Sequence, residues 1–220
     1  YQVKKKKMAV VMKEIDSLYS FLILGLIIGA RLGYIMFYNL GDYLKNPLEI
    51  FAVWRGGMSF HGGLIGSIAA GILFCKRFRL DYWQVSDLVV VTAPIGLGLG
   101  RLGNFINGEL YGRVTNVPWA MGFPSGGPLP RHPSQLYEFL LEGVVLFTIL
   151  WFLKDRILKL GILSSLFLIL YGMFRFLVEF FREPDPQLGF IFTYFTMGQT
   201  LSAVMLLVGM GILFYRRSRQ

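Results

Sequence analysis

The 220-residue sequence predicts an all-α polytopic membrane protein, and three observations predict it. Hydrophobic residues make up 55% of the chain and aromatics 16%, whereas Asp, Glu, Lys and Arg together make up 16%, against about 25% in an average soluble domain. A soluble globule of this size cannot bury that much apolar surface. The apolar residues also gather into runs near the ~20 residues that a spanning helix requires, without the alternation of a porin strand. Finally, the basic residues gather between those runs in an alternating way. This composition excludes a disordered chain and argues against a soluble enzyme.

Six runs are expected to span, at roughly 18–38, 60–75, 87–105, 136–153, 160–181 and 195–215. The second is short and glycine-rich, and is the one expected to be tilted, broken or partly re-entrant. Lys4–Lys7 and Lys13 precede the first run, and Lys76, Arg77 and Arg79 follow the second. Lys154, Arg156 and Lys159 follow the fourth, and Arg216, Arg217 and Arg219 follow the sixth. With six spans these fourteen residues share one side, against five (Lys45, Arg55, Arg113, Arg131, Arg182) on the other. The positive-inside rule then places both ends of the chain in the cytoplasm and the stretches 39–59, 106–135 and 182–194 outside. The net charge of +9 is thus mostly topological, and no nucleic-acid partner is expected. The chain reads as a single integral membrane domain over 1–220, with a small extracytoplasmic loop region at about 106–135. One cysteine, Cys75, excludes an internal disulfide framework and a Cys-based zinc site.

An ionisable residue near the bilayer centre costs roughly 2.5–3.5 kcal/mol on insertion scales, and survives where it faces protein or a wet cavity. Arg31, Arg101, Glu138, Glu142, Arg175 and Glu179 lie in or at the ends of runs. Arg31 and Glu142 read equally well as residues snorkelling at a helix end. The others keep polar company. Tyr171, Arg175 and Glu179 are spaced i, i+4, i+8, with Arg182 three residues on, and so share one helical face. An Arg–Glu pair on such a face either neutralises itself or holds a guanidinium in a fixed pose, as a phosphate site needs. The stretch Gly100–Arg113, GRLGNFINGELYGR, ends an apolar run with four glycines, two Asn, two Arg and a Glu. Packed glycine helices alone need no such polar set, whereas an unwound helix end lining a polar cavity does. Of the two histidines, His61 lies where an outer loop enters the second run and His132 lies in PRHPSQLYE. Histidine is the first choice for a base near neutral pH. Two are too few for a typical catalytic zinc site, HExxH is absent, and no metal is expected. Ser134 is expected to cap the fourth span, with Glu138 in its first turns; His132 is left open.

These residues carry a resemblance. GRLGNFINGELYGR (100–113), FHGGLIG (60–66), PRHPSQLYE (130–138) and YGMFRFLVEFFREPD (171–185) resemble, in the same order, the hallmark blocks of the prolipoprotein diacylglyceryl transferases. The resemblance implies a bacterial inner- or plasma-membrane enzyme. Such an enzyme moves the diacylglyceryl group of phosphatidylglycerol onto the lipobox cysteine thiol of a preprolipoprotein, and glycerol phosphate leaves. It implies Arg101, Asn104, Asn107, Glu109, Tyr171 and Arg175 as lipid-binding residues. It implies His61, Arg101, Arg175 and Glu179 as catalytic ones, with no cofactor. Members of the family also carry a further hydrophobic helix with a functional tyrosine ahead of the basic stretch, so seven spans are expected in all.

The implied reaction must deprotonate a thiol, whose ordinary pKa is about 8.5. It must break the glycerol C3–O bond and keep the acyl tails in lipid. Arg101 and Arg175 are suited to clamp the phosphate and offset charge on the leaving oxygen, with Arg113 and Arg182 as outer partners. Glu109 and Glu179 either fix the arginines or bind the glycerol hydroxyls. His61 is the candidate base, with headgroup positioning as its alternative role. Cys75, beside Lys76, is not a candidate nucleophile. A transporter is the main rival, but GRLGNFINGELYGR has no counterpart elsewhere in the chain, so no inverted repeat is visible. A non-catalytic scaffold needs neither the Arg–Asn–Glu cluster nor the second Arg–Glu pair.

Overall fold

A computed structural model describes residues 12–52, 54, 56–156, 159–184, 190–191 and 195–218. The side chains of Met12, Lys13, Phe37, Tyr38, Phe60, His61, Phe190 and Ile191 lie outside that description, as do the expected cytoplasmic residues Lys4–Lys7 and Arg219, and Arg55 of the outer set. The chain divides into two compact units, residues 1–85 and 86–220.

In the first unit, helix α1 (Met12–Tyr38) leads through a short α2 (Leu40–Lys45) and a 3-10 turn (Pro47–Phe51) to α3 (Phe60–Phe78). Helices α1 and α3 meet along a glycine seam: Gly25, Gly29 and Gly33 at four-residue spacing face Gly62, Gly66 and Ala70. A Cβ at Gly25 would lie 2.5 Å from the Ala70 Cβ, and one at Gly33 2.7 Å from the Gly62 Cα. In lipid, helices gain no hydrophobic drive to associate, and close backbone approach supplies the packing instead. Ser59 caps α3, its hydroxyl accepting from the Gly62 N–H at 3.3 Å.

Arg31 is no snorkelling residue. It is buried, and its guanidinium donates to the carbonyls of Glu49 (2.5 Å), Ile50 (3.0 Å), Ala52 (3.3 Å), Gly56 (2.6 Å) and Gly57 (3.2 Å). These five dipoles satisfy a buried cation, and the cation in turn organises the loop that follows α1.

The glycine-rich second run was expected to be the interrupted one. It is a continuous helix, because its glycines serve the seam. The interruption falls in the third run, where α4 (Tyr82–Val90) and α5 (Ala93–Ile106) meet at 41°. Pro94, near the start of α5, has no N–H to carry the hydrogen-bond ladder back into α4.

In the second unit, α6 (Ser134–Glu138) continues through a π-helical stretch, Phe139–Val145, into α7 (Leu146–Leu153). Then follow α8 (Ile162–Val178), a two-residue hairpin (β1, Phe190–Ile191; β2, Phe195–Thr196) and α9 (Met197–Ser218). The hairpin pairs Phe190 with Thr196 and Ile191 with Phe195. Val91, Leu146, Leu150, Leu163, Tyr171 and Phe174 form the buried core. Among the described residues, three helical stretches are long and apolar enough to cross a membrane: Glu14–Met36, Ser134–Leu153 and Met197–Ser218. The α4–α5 pair passes the same test jointly, and α8 is apolar but shorter. The chain is an all-α polytopic membrane protein; among the described residues the hairpin is joined by isolated β-bridges between Gly112 and Arg182 and from Arg131 to Val114 and Met121.

One buried carboxylate sets the start of α8. Asp87, on α4, accepts from the Gly161 N–H (2.7 Å), the Ser164 N–H (2.8 Å) and the Ser164 hydroxyl (2.6 Å). It caps α8 from another helix, since Gly161 at the N-cap position has no side chain to do so. Removing a helix cap typically costs about 1 kcal/mol, and stranding buried donors adds about 1–3 kcal/mol. Asp87→Ala is therefore expected to lower the thermal midpoint in detergent, while Asp87→Asn, which keeps one acceptor oxygen, falls between it and the parent. Equal midpoints for Ala and parent would show that the cap contributes nothing.

Candidate active site

The described charged and polar groups of the site belong to the second unit and begin at the end of α5. The expected unwinding of Gly100–Arg113 begins later than its first glycine. Helix α5 runs to Ile106, so Arg101 and Asn104 stand on its last turns, three residues apart on one face. Asn107 is the C-cap. Gly108 (φ +66°) and Leu110 (φ +56°) then take left-handed backbone that turns the chain sharply. The turn folds Glu109 back so that its Oε1 accepts from both Asn104 Nδ2 (2.9 Å) and Asn107 Nδ2 (3.4 Å). The two asparagines therefore meet through Glu109, and Glu109 holds them rather than an arginine.

The loop after this turn is tied down on both sides. Gly112 N–H donates to the His132 carbonyl (2.8 Å), and Arg113 N–H donates to the Phe181 carbonyl (2.9 Å). A Cβ at Gly112 would lie 2.5 Å from the Phe181 carbonyl oxygen and 2.7 Å from the His132 carbonyl oxygen, which is why glycine stands there. Arg113 donates from Nε to the Arg182 carbonyl at 3.0 Å. Arg131 spans the Gly126 carbonyl (2.8 Å) and the Glu183 carboxylate (3.0 Å), and lies over the Tyr111 ring. A cavity of about 300 Å³ opens beside this loop, lined by Phe105, Asn107, Met121, Phe123, Pro124 and Ser125 among others.

Ser134 does not cap the following helix. Pro133 occupies the cap position, and the Ser134 hydroxyl is buried and donates to the Leu110 carbonyl (3.1 Å). Its neighbour Gln135, also buried, donates from Nε2 to the Glu109 carbonyl (2.6 Å). The pair pins the turn carrying Glu109, because the turn's left-handed residues leave carbonyls that need donors. His132 belongs to an aromatic group with Tyr137 and Phe181. Trp119 Nε1 donates to the Tyr137 hydroxyl (2.7 Å), and that hydroxyl in turn faces His132 Nδ1 at 3.1 Å. Burial holds the His132 pKa below its ordinary value.

The charged centre sits between α5, α6 and α8. Tyr171, Arg175 and Glu179 follow one another along α8 at the expected spacing, and Arg175 Nη2 pairs with Glu179 Oε2 at 2.7 Å. Arg175 Nη1 reaches Glu138 Oε1 at 2.5 Å, and Arg101 Nε reaches Glu138 Oε2 at 2.6 Å. Glu138, only 1% exposed, thus bridges both arginines. It stands in the first turns of α6, as the sequence suggests, and is also the hub of the site. Glu179 accepts a further bond from the Thr196 hydroxyl (2.9 Å). Thr196 is held in turn by Gln199, whose Oε1 accepts from its N–H at 3.1 Å. Glu142, fully buried, faces Arg101 at 3.7 Å and Arg175 at 3.9 Å, and Arg182 stands 3.9 Å from Glu138.

Three guanidinium groups and three carboxylates therefore share one partly covered space. The Arg101 and Arg175 side chains remain 16% and 11% exposed, so each keeps an edge that a ligand can reach. Such a forked, pre-aligned pair of arginines suits a tetrahedral oxyanion. The structure brings together Arg101, Arg175, Glu179 and Tyr171 in one group, and Asn104, Asn107 and Glu109 in another a turn away along α5. His61 stands in the first turn of α3, and its side chain lies outside the described residues. Glu138, Glu142, Gln135, Thr196 and Gln199 were not anticipated as site residues. Only Glu138 and Glu142 left a signal, two acids four residues apart in an apolar run.

Comparison with known proteins identifies a family. A family model described as prolipoprotein diacylglyceryl transferase matches residues 1–215. A phosphatidylglycerol–prolipoprotein diacylglyceryl transferase of Desulfotalea psychrophila is 56% identical over 221 residues, covering 98% of this chain and 81% of its own. Relatives of the same name from Geobacter sulfurreducens (54% over 215 residues, 97% and 83%) and Coxiella burnetii (54% over 210 residues, 95% and 80%) are similarly close.

Proposed function

Because the chain belongs to the prolipoprotein diacylglyceryl transferase family, we propose that its arginine–glutamate centre holds the phosphate of phosphatidylglycerol while the diacylglyceryl group moves to a lipobox cysteine. The protein is a membrane-bound transferase that moves diacylglyceryl from phosphatidylglycerol to prolipoprotein, the first step of lipidation. The observation that carries the site assignment is the bridged pair: Glu138 holds Arg101 and Arg175 with one edge of each exposed.

In this reading the thiolate sulfur attacks glycerol C3, the C3–O bond breaks, and its electron pair passes to the phosphate oxygen of the departing glycerol phosphate. Arg101 and Arg175 offset the charge that develops there; electrostatic stabilisation of this kind is worth about 100- to 1,000-fold per donor. Asn104, Asn107 and Glu109 offer amide and carboxylate groups to the glycerol hydroxyls, and Tyr171 bounds the site from α8. His61 takes the thiol proton. The basic clusters that precede the first run and follow the second, fourth and sixth support a cytoplasmic side for those flanks and a site open to the extracytoplasmic face of the bacterial inner membrane.

The direct test is purified protein with phosphatidylglycerol vesicles and a lipobox peptide, followed for glycerol phosphate release and peptide lipidation. Neither product appearing would overturn the reading. If His61 is the base, His61→Gln is expected to remove the limb of the rate profile near neutral pH. An unchanged profile reassigns His61 to binding.

A further inference from the structure

The charged centre holds one carboxylate that its own arginines do not satisfy. Glu138 accepts short bonds from two guanidinium groups, and Glu179 accepts from Arg175 and Thr196. Glu142 is as deeply buried as either, yet neither of its oxygens has a hydrogen-bond partner among the described residues. It sits in the π-helical stretch, a local irregularity that recurs at functional sites. The charged and titratable groups facing it are Arg101 from α5, Tyr171, Arg175 and Arg182 from α8 and its end, and Glu138 one turn earlier on its own helix. A fully buried carboxylate with no donor is costly while ionised and much less so when protonated.

The charge count sharpens this. With all three carboxylates ionised the centre is neutral: Arg101, Arg175 and Arg182 against Glu138, Glu142 and Glu179. A phosphodiester entering it adds one negative charge to a poorly hydrated space. Glu138 and Glu179 are each anchored by short charge-assisted bonds. Glu142 is the group whose protonation restores neutrality at least cost.

We propose that Glu142 is a positioning residue whose proton uptake accompanies binding of the lipid phosphate, leaving both arginine forks to the phosphate. Ionised, it competes for Arg101 and Arg175 from under 4 Å; protonated, it does not. This inference rests on the phosphate-holding role above, and adds to it a proton that is neither the thiol's nor taken by His61.

Calorimetric titration of the purified wild-type protein with phosphatidylglycerol, in two buffers of different ionisation enthalpy, reads proton uptake without any turnover. About one proton per lipid is expected over the pH range where free Glu142 is ionised, and none in Glu142→Gln. The lipid KM of the wild type is expected to rise about tenfold per pH unit above the Glu142 ionisation. That of Glu142→Gln stays flat over the same range, because the amide mimics the neutral acid. No proton uptake by the wild type overturns the proposal whatever the variant does. So does a folded Glu142→Gln that keeps the wild-type pH dependence. Failure of the phosphate role itself looks different: phosphatidylglycerol then gives no binding heat in any buffer.

Discussion

Arg175→Ala is expected to reduce diacylglyceryl transfer by at least about 100-fold, the size of effect seen when one donor to a developing oxyanion is removed. Arg175 both faces the proposed phosphate and pairs with Glu138 and Glu179. Losing a partner from a buried pair also costs about 3–5 kcal/mol of stability, so truncation alone confounds two effects. Arg175→Lys separates them. Lysine keeps the charge but is a point donor, and cannot span both carboxylates and a phosphate as a fork does. It is expected to insert and fold, with transfer falling by roughly tenfold or more. Arg101→Ala, which leaves Glu138 still paired with Arg175, is expected to insert normally and lose transfer. Near-normal transfer by either alanine variant, at matched membrane levels, would remove that arginine from the clamp.

The second large effect is expected at Glu138, which need not touch substrate at all. Its two oxygens set the spacing of Arg101 and Arg175, at 2.6 Å and 2.5 Å. Misplacing a reacting or stabilising group by about 1 Å can cost about 100-fold in rate. Glu138→Gln keeps the shape but halves the acceptor capacity and leaves the centre with a surplus positive charge. We expect kcat to fall by about 10- to 100-fold, with the lipid KM unchanged or lowered, because the extra charge attracts the phosphate while the forks lose their alignment. A structural role alone would instead lower both the thermal midpoint and the folded fraction, with unchanged kcat per folded molecule. Measuring kcat on protein recovered after size exclusion in detergent distinguishes the two.

Much of this centre was legible in the chain because membrane burial makes ionisable residues conspicuous. Arg101, Arg175 and Glu179 stand out in apolar runs, and the i, i+4 spacing of Arg175 and Glu179 dictates their pairing on one face. Asn104, Asn107 and Glu109 stand out by their company. Their mutual geometry was not legible, since it depends on left-handed backbone at Gly108 and Leu110 and on Gln135, 26 residues on. Ser134 illustrates the limit. A serine ahead of an apolar run is the ordinary mark of a helix cap, yet a nearby carbonyl from a distant loop claims its hydroxyl.

The sequence by itself determined the class of the protein and the approximate helices, because hydropathy and length are properties of local segments. It also singled out which charges could not sit idly in lipid. Only the tertiary structure decided what each charge meets. Arg31 found five carbonyls and became a loop organiser, and Asp87 capped a helix 74 residues later. Glu138 joined two arginines from different helices, and Glu142 was left without a hydrogen bond among the described residues. The reason is physical: burial makes a partner obligatory, but the partner's identity depends on contacts between segments far apart in the chain, which local patterns do not encode.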